Sequence, residues 1–141
     1  MNAGLILEQF FAAIVAGQLE RLSELLHPEA EIHLLAFGSE TVRGREAVVS
    51  KIRTVREETV YEPTVHRVEE SDERIAIAVG SSRYPLAFGG FAVSQVVWVA
   101  EIEDGTVRQV RTYLDMDAAQ AAAGDVRAPA TGASSGRTEG R

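Results

Sequence analysis

Cysteine is absent from this 141-residue chain, and its absence excludes several kinds of chemistry. Without a thiol, the chain has no disulfide framework, no thiolate metal ligand and no cysteine nucleophile. The three histidines, His27, His33 and His66, are scattered without the paired spacing of metal ligands. We therefore expect neither a metal site nor a cofactor, and any catalysis must use other side chains.

Positive charge is also scarce in the sequence. Fourteen Lys and Arg residues stand against 21 Asp and Glu, which gives a formal net charge of −7 and a pI near 5.0. The affinity of proteins for nucleic acids depends largely on clustered basic side chains. DNA and RNA are therefore not expected partners.

Long apolar runs are missing as well. No run approaches the roughly 20 residues that a membrane-spanning helix needs, so we expect no membrane partner. The first apolar segment, Leu5 to Val15, is interrupted by Glu8 and Gln9, and it lacks the basic leader and processing site of a secretory signal. These absences predict a cytoplasmic protein.

The residues that are present suit one compact domain followed by a tail. Hydrophobic residues make up 45% of the chain and charged residues 25%, which is enough for one core in a chain of this length. From Gly124 to Arg141 the sequence is rich in Gly, Ala and Ser and contains no aromatic residue. Such a segment buries too little apolar surface to offset its chain entropy. We predict a domain over residues 1–119 and a flexible C-terminal tail over residues 120–141.

The first half of the chain has the periodicity of helices and the second half that of strands. Apolar spacing predicts a helix over Gly4–Ala16, a shorter one that ends before Pro28, a strand over Ala30–Ala36 and a third helix after Gly44. The second half predicts an antiparallel meander. Its last two strands form a long hairpin that extends from Phe91 to Met116.

The second strand of this hairpin carries an unusual row of polar side chains. Because successive residues of a strand face opposite ways, Arg111, Tyr113 and Asp115 fall on one face. Such a row is either a structural ion pair on a solvated or dimer face, or the lining of a polar pocket. The pattern alone leaves both interpretations open.

Several segments occur in an informative order along the chain. They are Phe10 to Leu22, Leu26 to His33, Val42 to Val48, Asp104 to Val107 and Tyr113 to Asp115. Together with the predicted elements they resemble the nuclear transport factor 2-like (NTF2-like) superfamily, in its SnoaL-like branch, over roughly Leu5 to Ala119. The resemblance implies an α+β cone, in which N-terminal helices pack on a curved antiparallel sheet around a pocket for a small hydrophobic molecule. It also implies a homodimer through the open sheet surface.

The resemblance does not by itself choose a reaction, because relatives include isomerases, cyclases, epoxide hydrolases and proteins that only bind. The residues that ketosteroid isomerases use fall here on Phe10 and on Leu34 or Leu35, which cannot move a proton. The epoxide-hydrolase pattern is matched by Asp115 and only partly by Arg83, which lacks its neighbouring aspartate.

The SnoaL-like cyclases imply an acid–base pair, and His33 lies where many of them have a histidine. If Ile32 and Leu34 point inward, however, His33 points outward. The predicted catalytic residues are therefore Asp115 as the base, with help from Tyr113, Arg111 or His33. The predicted ligand-binding residues are Phe10, Ile14, Leu34, Arg83 and Trp98, although Trp98 also suits core or interface packing.

Two functions remain open from the sequence. The first is an acid–base enzyme of cyclase, isomerase or epoxide-hydrolase type that acts on a small hydrophobic metabolite. The second is a ligand-binding or dimerisation module of the same fold without turnover. An enzyme needs an ionisable group inside the cavity, whereas a binding protein needs only shape and a few polar contacts.

Overall fold

Four α-helices and six β-strands make up residues 2–127, which are the residues that the computed structural model describes. The helices are α1 (Ala3–Ala16), α2 (Leu19–Leu25), α3 (Arg45–Glu58) and α4 (Met116–Arg127), and a 3₁₀ turn covers Leu35–Phe37. The strands are β1 (Leu26–Ile32), β2 (Val42–Arg43), β3 (Glu62–Glu70), β4 (Ile75–Pro85), β5 (Phe91–Glu103) and β6 (Thr106–Tyr113). None of the helices in this range is both long enough and apolar enough to cross a bilayer.

The six strands form one sheet in the order β2-β1-β6-β5-β4-β3. Strands β3 to β6 are the predicted antiparallel meander, and β5 with β6 is the predicted hairpin. The sheet as a whole is mixed, because β1 joins β6 in parallel. This pairing adds β1 and β2 to the meander beside β6. The edge strands of the sheet are therefore β2 and β3.

Helix α1 is held at both ends by side chains from distant parts of the chain. At its start, the amide of Gly4 donates to the Glu70 carboxylate at 2.9 Å, which satisfies a donor that has no partner within the helix. At its end, Gly17 adopts a φ of 71°, the left-handed conformation that terminates many helices. Arg56 of α3 donates there to the carbonyl of Ile14 at 2.9 Å. These contacts fix α1 across the sheet.

The sheet has two apolar faces with different covers. We call the face that packs on α1 the inner face and the face that packs on α4 the outer face. The buried residues of the inner face in β4, β5 and β6 include Ala76, Ala78, Val96, Trp98, Ala100 and Val110. Those of the outer face are Ile75, Ile77, Val97 and Val99, which pack with Ala119 and Ala123 of α4.

Gly80 lies on the inner face, where the backbone of β3 and the Trp98 ring pack closely against it. A Cβ at this position would overlap the carbonyl oxygen of Thr64 on β3 and would lie 3.0 Å from Cζ3 of Trp98. The β3 strand also contains a bulge between Val65 and Arg67 that bends it toward β4. Only glycine allows β3 and the indole ring to approach the backbone this closely.

Three predicted boundaries differ from the structure. The first strand is Leu26–Ile32 rather than Ala30–Ala36, and Pro28 is tolerated because it lies in an irregular stretch of β1. The last strand ends at Tyr113 rather than Met116. The predicted tail from residue 120 gives way to α4 as far as Arg127, because Ala119 and Ala123 are both fully buried against the outer face. Residues 128–141 of that predicted tail lie outside the described residues.

Candidate functional site

Four of the five predicted ligand-binding residues lie together in the core. Phe10, Ile14, Leu34 and Trp98 are each at most 1% exposed and belong to one cluster between α1 and the inner face. The ring of Trp98 packs against Phe11, with ring centroids 4.4 Å apart. These side chains fill the space that the sequence predicts to be a pocket.

A depression opens at the end of α1, where the ends of α1 and α3 meet the start of β3. We call it the α1–α3 depression, and its volume is about 300 Å³. It is lined by Ile14, Val15, Arg56, Thr59, Val60, Tyr61 and Glu62. A wider and more apolar groove of about 490 Å³ continues from Val15 between α1 and β3. Through Ile14 and Tyr61, the α1–α3 depression borders the buried cluster of the inner face.

Two buried hydroxyls lie behind this depression. Tyr61 is 8% exposed and Ser82 of β4 is 1% exposed; the two hydroxyls interact with each other, but neither makes a hydrogen bond of ordinary geometry among the described residues. Burial raises the pKa of Tyr61 far above its usual value, and the neighbouring Ser82 hydroxyl offsets this only partly. The Tyr61 hydroxyl therefore stays protonated at neutral and moderately alkaline pH.

A second pair of hydroxyls lies further along the same inner face. The hydroxyls of Tyr84 and Ser94 are 3.1 Å apart and form a hydrogen bond. Ser82 and Ser94 are directly opposite each other in the β4–β5 pairing, so all of these residues share one face. The sequence analysis missed Tyr61, Ser82, Tyr84 and Ser94. Alternation along β4 could have indicated two of them, because Ser82 and Tyr84 fall on the same face as the apolar residues Ala76 and Ala78.

Three of the four predicted catalytic residues lie around a different depression, on the outer face. Tyr113 is opposite Val97 and Arg111 is opposite Val99, so both side chains belong to the face that α4 covers. This outer depression has a volume of about 230 Å³ and is lined by His33, Ser39, Thr41, Arg111, Thr112 and Tyr113. His33 Nε2 lies 2.8 Å from the carbonyl oxygen of Gly38. In the neutral imidazole Nε2 then carries the proton and Nδ1 is an acceptor.

The fourth predicted catalytic residue, Asp115, does not lie on a strand. Its carboxylate accepts a hydrogen bond from the amide of Ala118 at 2.8 Å and caps the start of α4. It is exposed and lies on the side of the outer face, so the structure does not bring it together with Phe10, Ile14 or Trp98. Alternation along a strand placed Asp115 on the same face as Tyr113, but β6 ends at Tyr113 and the alternation ends with it.

Arg83 is likewise separated from the other predicted ligand-binding residues. Its guanidinium carbon lies 3.7 Å from the ring centroid of Phe91, and Nη1 lies 3.3 Å from a Glu62 carboxylate oxygen. In the pairing of β4 with β5 it is opposite Val93, which is 65% exposed. Arg83 therefore belongs to the outer side, whereas Trp98 belongs to the inner side.

Three solved structures are similar to this chain at low sequence identity. A LEH-like epoxide hydrolase from Mycobacterium tuberculosis has a TM-score of 0.68 at 18% identity, over 80% of this chain and 78% of that chain. A M. tuberculosis protein in complex with estradiol-17β-hemisuccinate has a TM-score of 0.67 at 14% identity, over 83% and 97%. A candidate polyketide cyclase from Pseudomonas putida KT2440 has a TM-score of 0.64 at 19% identity, over 83% and 94%. These likenesses establish a shared cone-shaped fold, as the sequence predicts.

Comparison at the sequence level gives the family. A search of curated protein sequences finds no significant match. The sequence model of the SnoaL-like domain matches residues 7–110, a range that begins in α1, ends in β6 and covers well over half of the chain. The chain therefore belongs to the SnoaL-like family of the NTF2-like superfamily.

Proposed function

We propose that this chain binds a small hydrophobic molecule between α1 and the inner face and does not turn it over. The observation that carries this proposal is the chemistry of the buried side chains. Among the residues described, the buried polar side chains of the inner face are the hydroxyls of Tyr61 and Ser82; the buried Nε of Arg83 belongs to the outer side, and Arg56 and Glu62 at the α1–α3 depression are exposed. General acid–base catalysis needs a carboxylate, an imidazole or a similar ionisable group within reach of the reacting atom.

Two further observations support binding at this place. The α1–α3 depression has a volume at the lower end of the range of about 300–1,000 Å³ that small-molecule sites occupy. The M. tuberculosis protein with the same fold was crystallised with a steroid ester, estradiol-17β-hemisuccinate. A ligand of two fused rings would fit the depression, with its apolar part against Ile14 and Val60.

The test uses Trp98, which is the only tryptophan of the chain and is fully buried on the inner face. We expect the bicyclic hydrocarbon tetralin to change the Trp98 emission on titration, when the indole is excited at the red edge of its absorption. The variant Val60→Phe narrows the depression and should weaken the binding several-fold. Leu5→Phe adds a ring at an exposed position near the opposite end of α1 and should have no effect.

The proposal fails if neither tetralin nor an oxygenated bicyclic compound binds. It also fails if Val60→Phe and Leu5→Phe weaken the binding equally, because the site would then not be the α1–α3 depression. Melting temperatures of both variants provide the folding control. Both positions are exposed, so neither change should unfold the protein.

An acid–base enzyme is a second candidate, because the outer depression brings His33, Arg111 and Tyr113 together. There Nδ1 of His33 could accept a proton, the Tyr113 hydroxyl could donate one, and the guanidinium of Arg111 could stabilise a developing negative charge. The test is turnover of a panel of small ketones and epoxides by the unmodified protein and by His33→Asn. No turnover by the unmodified protein would contradict this candidate, as would turnover that His33→Asn leaves unchanged.

We also propose that the chain forms a homodimer through the outer side. Several large apolar residues are exposed at the end of the β4–β5 hairpin or beyond β6: Leu86, Phe88, Phe91, Val93 and Leu114. Exposed apolar patches of this kind mark interaction surfaces. A native mass spectrum should show a dimer that Phe91→Glu converts to a monomer, whereas Val60→Glu should leave it intact. A monomeric unmodified protein would contradict this proposal.

A further inference from the structure

We propose that Tyr61 and Ser82 form a two-donor binding point for one uncharged carbonyl oxygen, so that the preferred ligands are hydrophobic ketones. This inference depends on the proposed function, because the hydroxyls become accessible to a ligand only through the α1–α3 depression. It adds the chemical class of the ligand and the two side chains that select it.

The first argument is the energetic state of the two hydroxyls. Buried hydroxyls in folded proteins nearly always have hydrogen-bond partners, and an unpartnered one is destabilising. Here two of them, those of Tyr61 and Ser82, are buried beside each other and interact, yet neither makes a hydrogen bond of ordinary geometry among the described residues. Two adjacent, poorly paired donors are an arrangement that a bound acceptor would stabilise.

The second argument is the contrast with the other hydroxyl pair of the inner face. The hydroxyls of Tyr84 and Ser94 form a hydrogen bond with each other at 3.1 Å, so a ligand would add little stabilisation to them. Tyr61 and Ser82 lie on the same face, yet they do not adopt this geometry. The polar point of the inner face that remains available is therefore at Tyr61 and Ser82, next to the depression that Tyr61 itself lines.

The third argument concerns charge. A carboxylate ligand would need a cation, and the cation at the α1–α3 depression is Arg56. Its guanidinium already donates to the carbonyls of Ile14 and Val15, at 2.9 Å and 3.3 Å. Glu62 also lines the depression and pairs with the guanidinium of Arg83 at 3.3 Å, so Arg83 does not supply a free counter-charge either. An uncharged carbonyl oxygen accepts two hydrogen bonds and needs no counter-charge, so it fits this site better than a carboxylate.

The position of Tyr61 also indicates how a ligand would reach the pair. Tyr61 lines the α1–α3 depression, while its hydroxyl lies next to the Ser82 hydroxyl on the inner face. A rotation of the Tyr61 side chain would open the depression toward Ser82, which does not itself line it. A hydrocarbon of the same size would gain the apolar contacts but would leave both donors poorly paired.

The experiment compares 1-tetralone with tetralin, which differ in one carbonyl group. We expect the unmodified protein to bind the ketone about thirtyfold more tightly, which corresponds to two net hydrogen bonds of typical strength. Tyr61→Phe and Ser82→Ala should each reduce this preference. Tyr84→Phe is the matched control, because it removes an inner-face hydroxyl that already has a partner, and it should keep the preference.

Melting temperatures add a readout that does not depend on a ligand. Tyr61→Phe removes a poorly paired buried hydroxyl, so its melting temperature should equal or exceed that of the unmodified protein. Tyr84→Phe breaks a hydrogen bond and should melt lower. If Tyr61→Phe instead melts clearly lower and no ketone preference exists, the two hydroxyls are paired already, with each other or with a permanently bound water, and the inference is overturned.

The remaining outcomes separate this inference from the proposed function. Equal affinity for tetralin and 1-tetralone would refute the inference but leave the binding function in place. A ketone preference that survives in both Tyr61→Phe and Ser82→Ala would show that other residues select the carbonyl. Binding of neither compound would refute the proposed function and, with it, the inference.

Discussion

Arg56 joins the end of α3 to the end of α1 by donating from Nε to the carbonyl of Ile14 at 2.9 Å. The last carbonyls of a helix have no partner within the helix, and a guanidinium is a suitable donor for them. The same side chain lines the α1–α3 depression. This contact therefore links the stability of α1 to the shape of the candidate binding site.

We predict that Arg56→Met lowers the free energy of unfolding by about 1 kcal/mol, because the carbonyls at the end of α1 lose a charged donor. The measurement is urea-induced unfolding monitored by circular dichroism. Arg53→Met is the matched control, since Arg53 is an exposed residue of the same helix, and it should change little. Equal effects of the two substitutions would contradict a specific role for Arg56.

Gly80 gives the second prediction, which concerns the close approach of β3 and Trp98. Gly80→Ala should destabilise the protein by about 3 kcal/mol or more, because a Cβ overlaps the backbone of Thr64 and crowds the indole. Thermal unfolding measures the loss. Gly124→Ala in α4 is the control, because its Cβ would meet nothing within 4 Å, and it should be neutral or slightly stabilising. A tolerated Gly80→Ala would mean that β3 is less tightly packed than described.

Asp115 gives the third prediction, which separates a capping role from a catalytic one. Asp115→Ala should cost about 1 kcal/mol through loss of the cap of α4, whereas Asp115→Asn should cost much less because asparagine also caps helices. Both variants should bind tetralin with unchanged affinity. If Asp115→Asn instead abolished a turnover that the unmodified protein shows, Asp115 would be the base that the sequence pattern predicts.

Tyr61 gives the fourth prediction, which concerns alkaline pH. Its pKa is raised above the ordinary value of 10.0 by burial, so above that pH the unfolded chain loses this proton while the folded chain keeps it. The contribution of Tyr61 to stability is thus fully present below pH 10 and decreases as the pH rises further. The decrease from this one group approaches about 1.4 kcal/mol per pH unit.

The measurement for this prediction is urea unfolding at about pH 9 and about pH 11. Tyr61→Phe should lose less stability between the two values than the unmodified protein, because phenylalanine has no proton to release. Tyr84→Phe should lose as much as the unmodified protein if Tyr61 causes the difference. Identical pH dependence of all three proteins would show that the Tyr61 hydroxyl is not buried in solution.

Much of the fold could be predicted because it follows from local patterns. The start and end of α1 follow from the spacing of its apolar residues and from Gly17, and the β5–β6 hairpin follows from β-branched strands around a glycine turn. The NTF2-like fold and the SnoaL-like family were predicted and are confirmed. The end of β6 was predicted less well, because Asp115 suits a polar strand row and a helix cap equally.

A bulge also changed which residues of β6 point inward. Strict alternation puts Val107 on the same face as Arg111, but Val107 and Val110 are both fully buried in the inner core. The pairing of β5 with β6 shifts register between Glu101 and Ile102 and accommodates the extra residue. No local feature of the sequence indicates this shift, because it depends on how β6 pairs with both of its neighbours.

The sequence by itself determined the order and type of the elements, since these depend on periodicity, capping and turn residues close together in the chain. Only the tertiary structure decided which candidate residues share a site. The two faces of a strand look alike until helices cover them, so the packing of α1 and α4 assigned Tyr61 and Ser82 to the inner face and Arg111 and Tyr113 to the outer face. These contacts join residues far apart in the chain, which is why no local pattern could predict them.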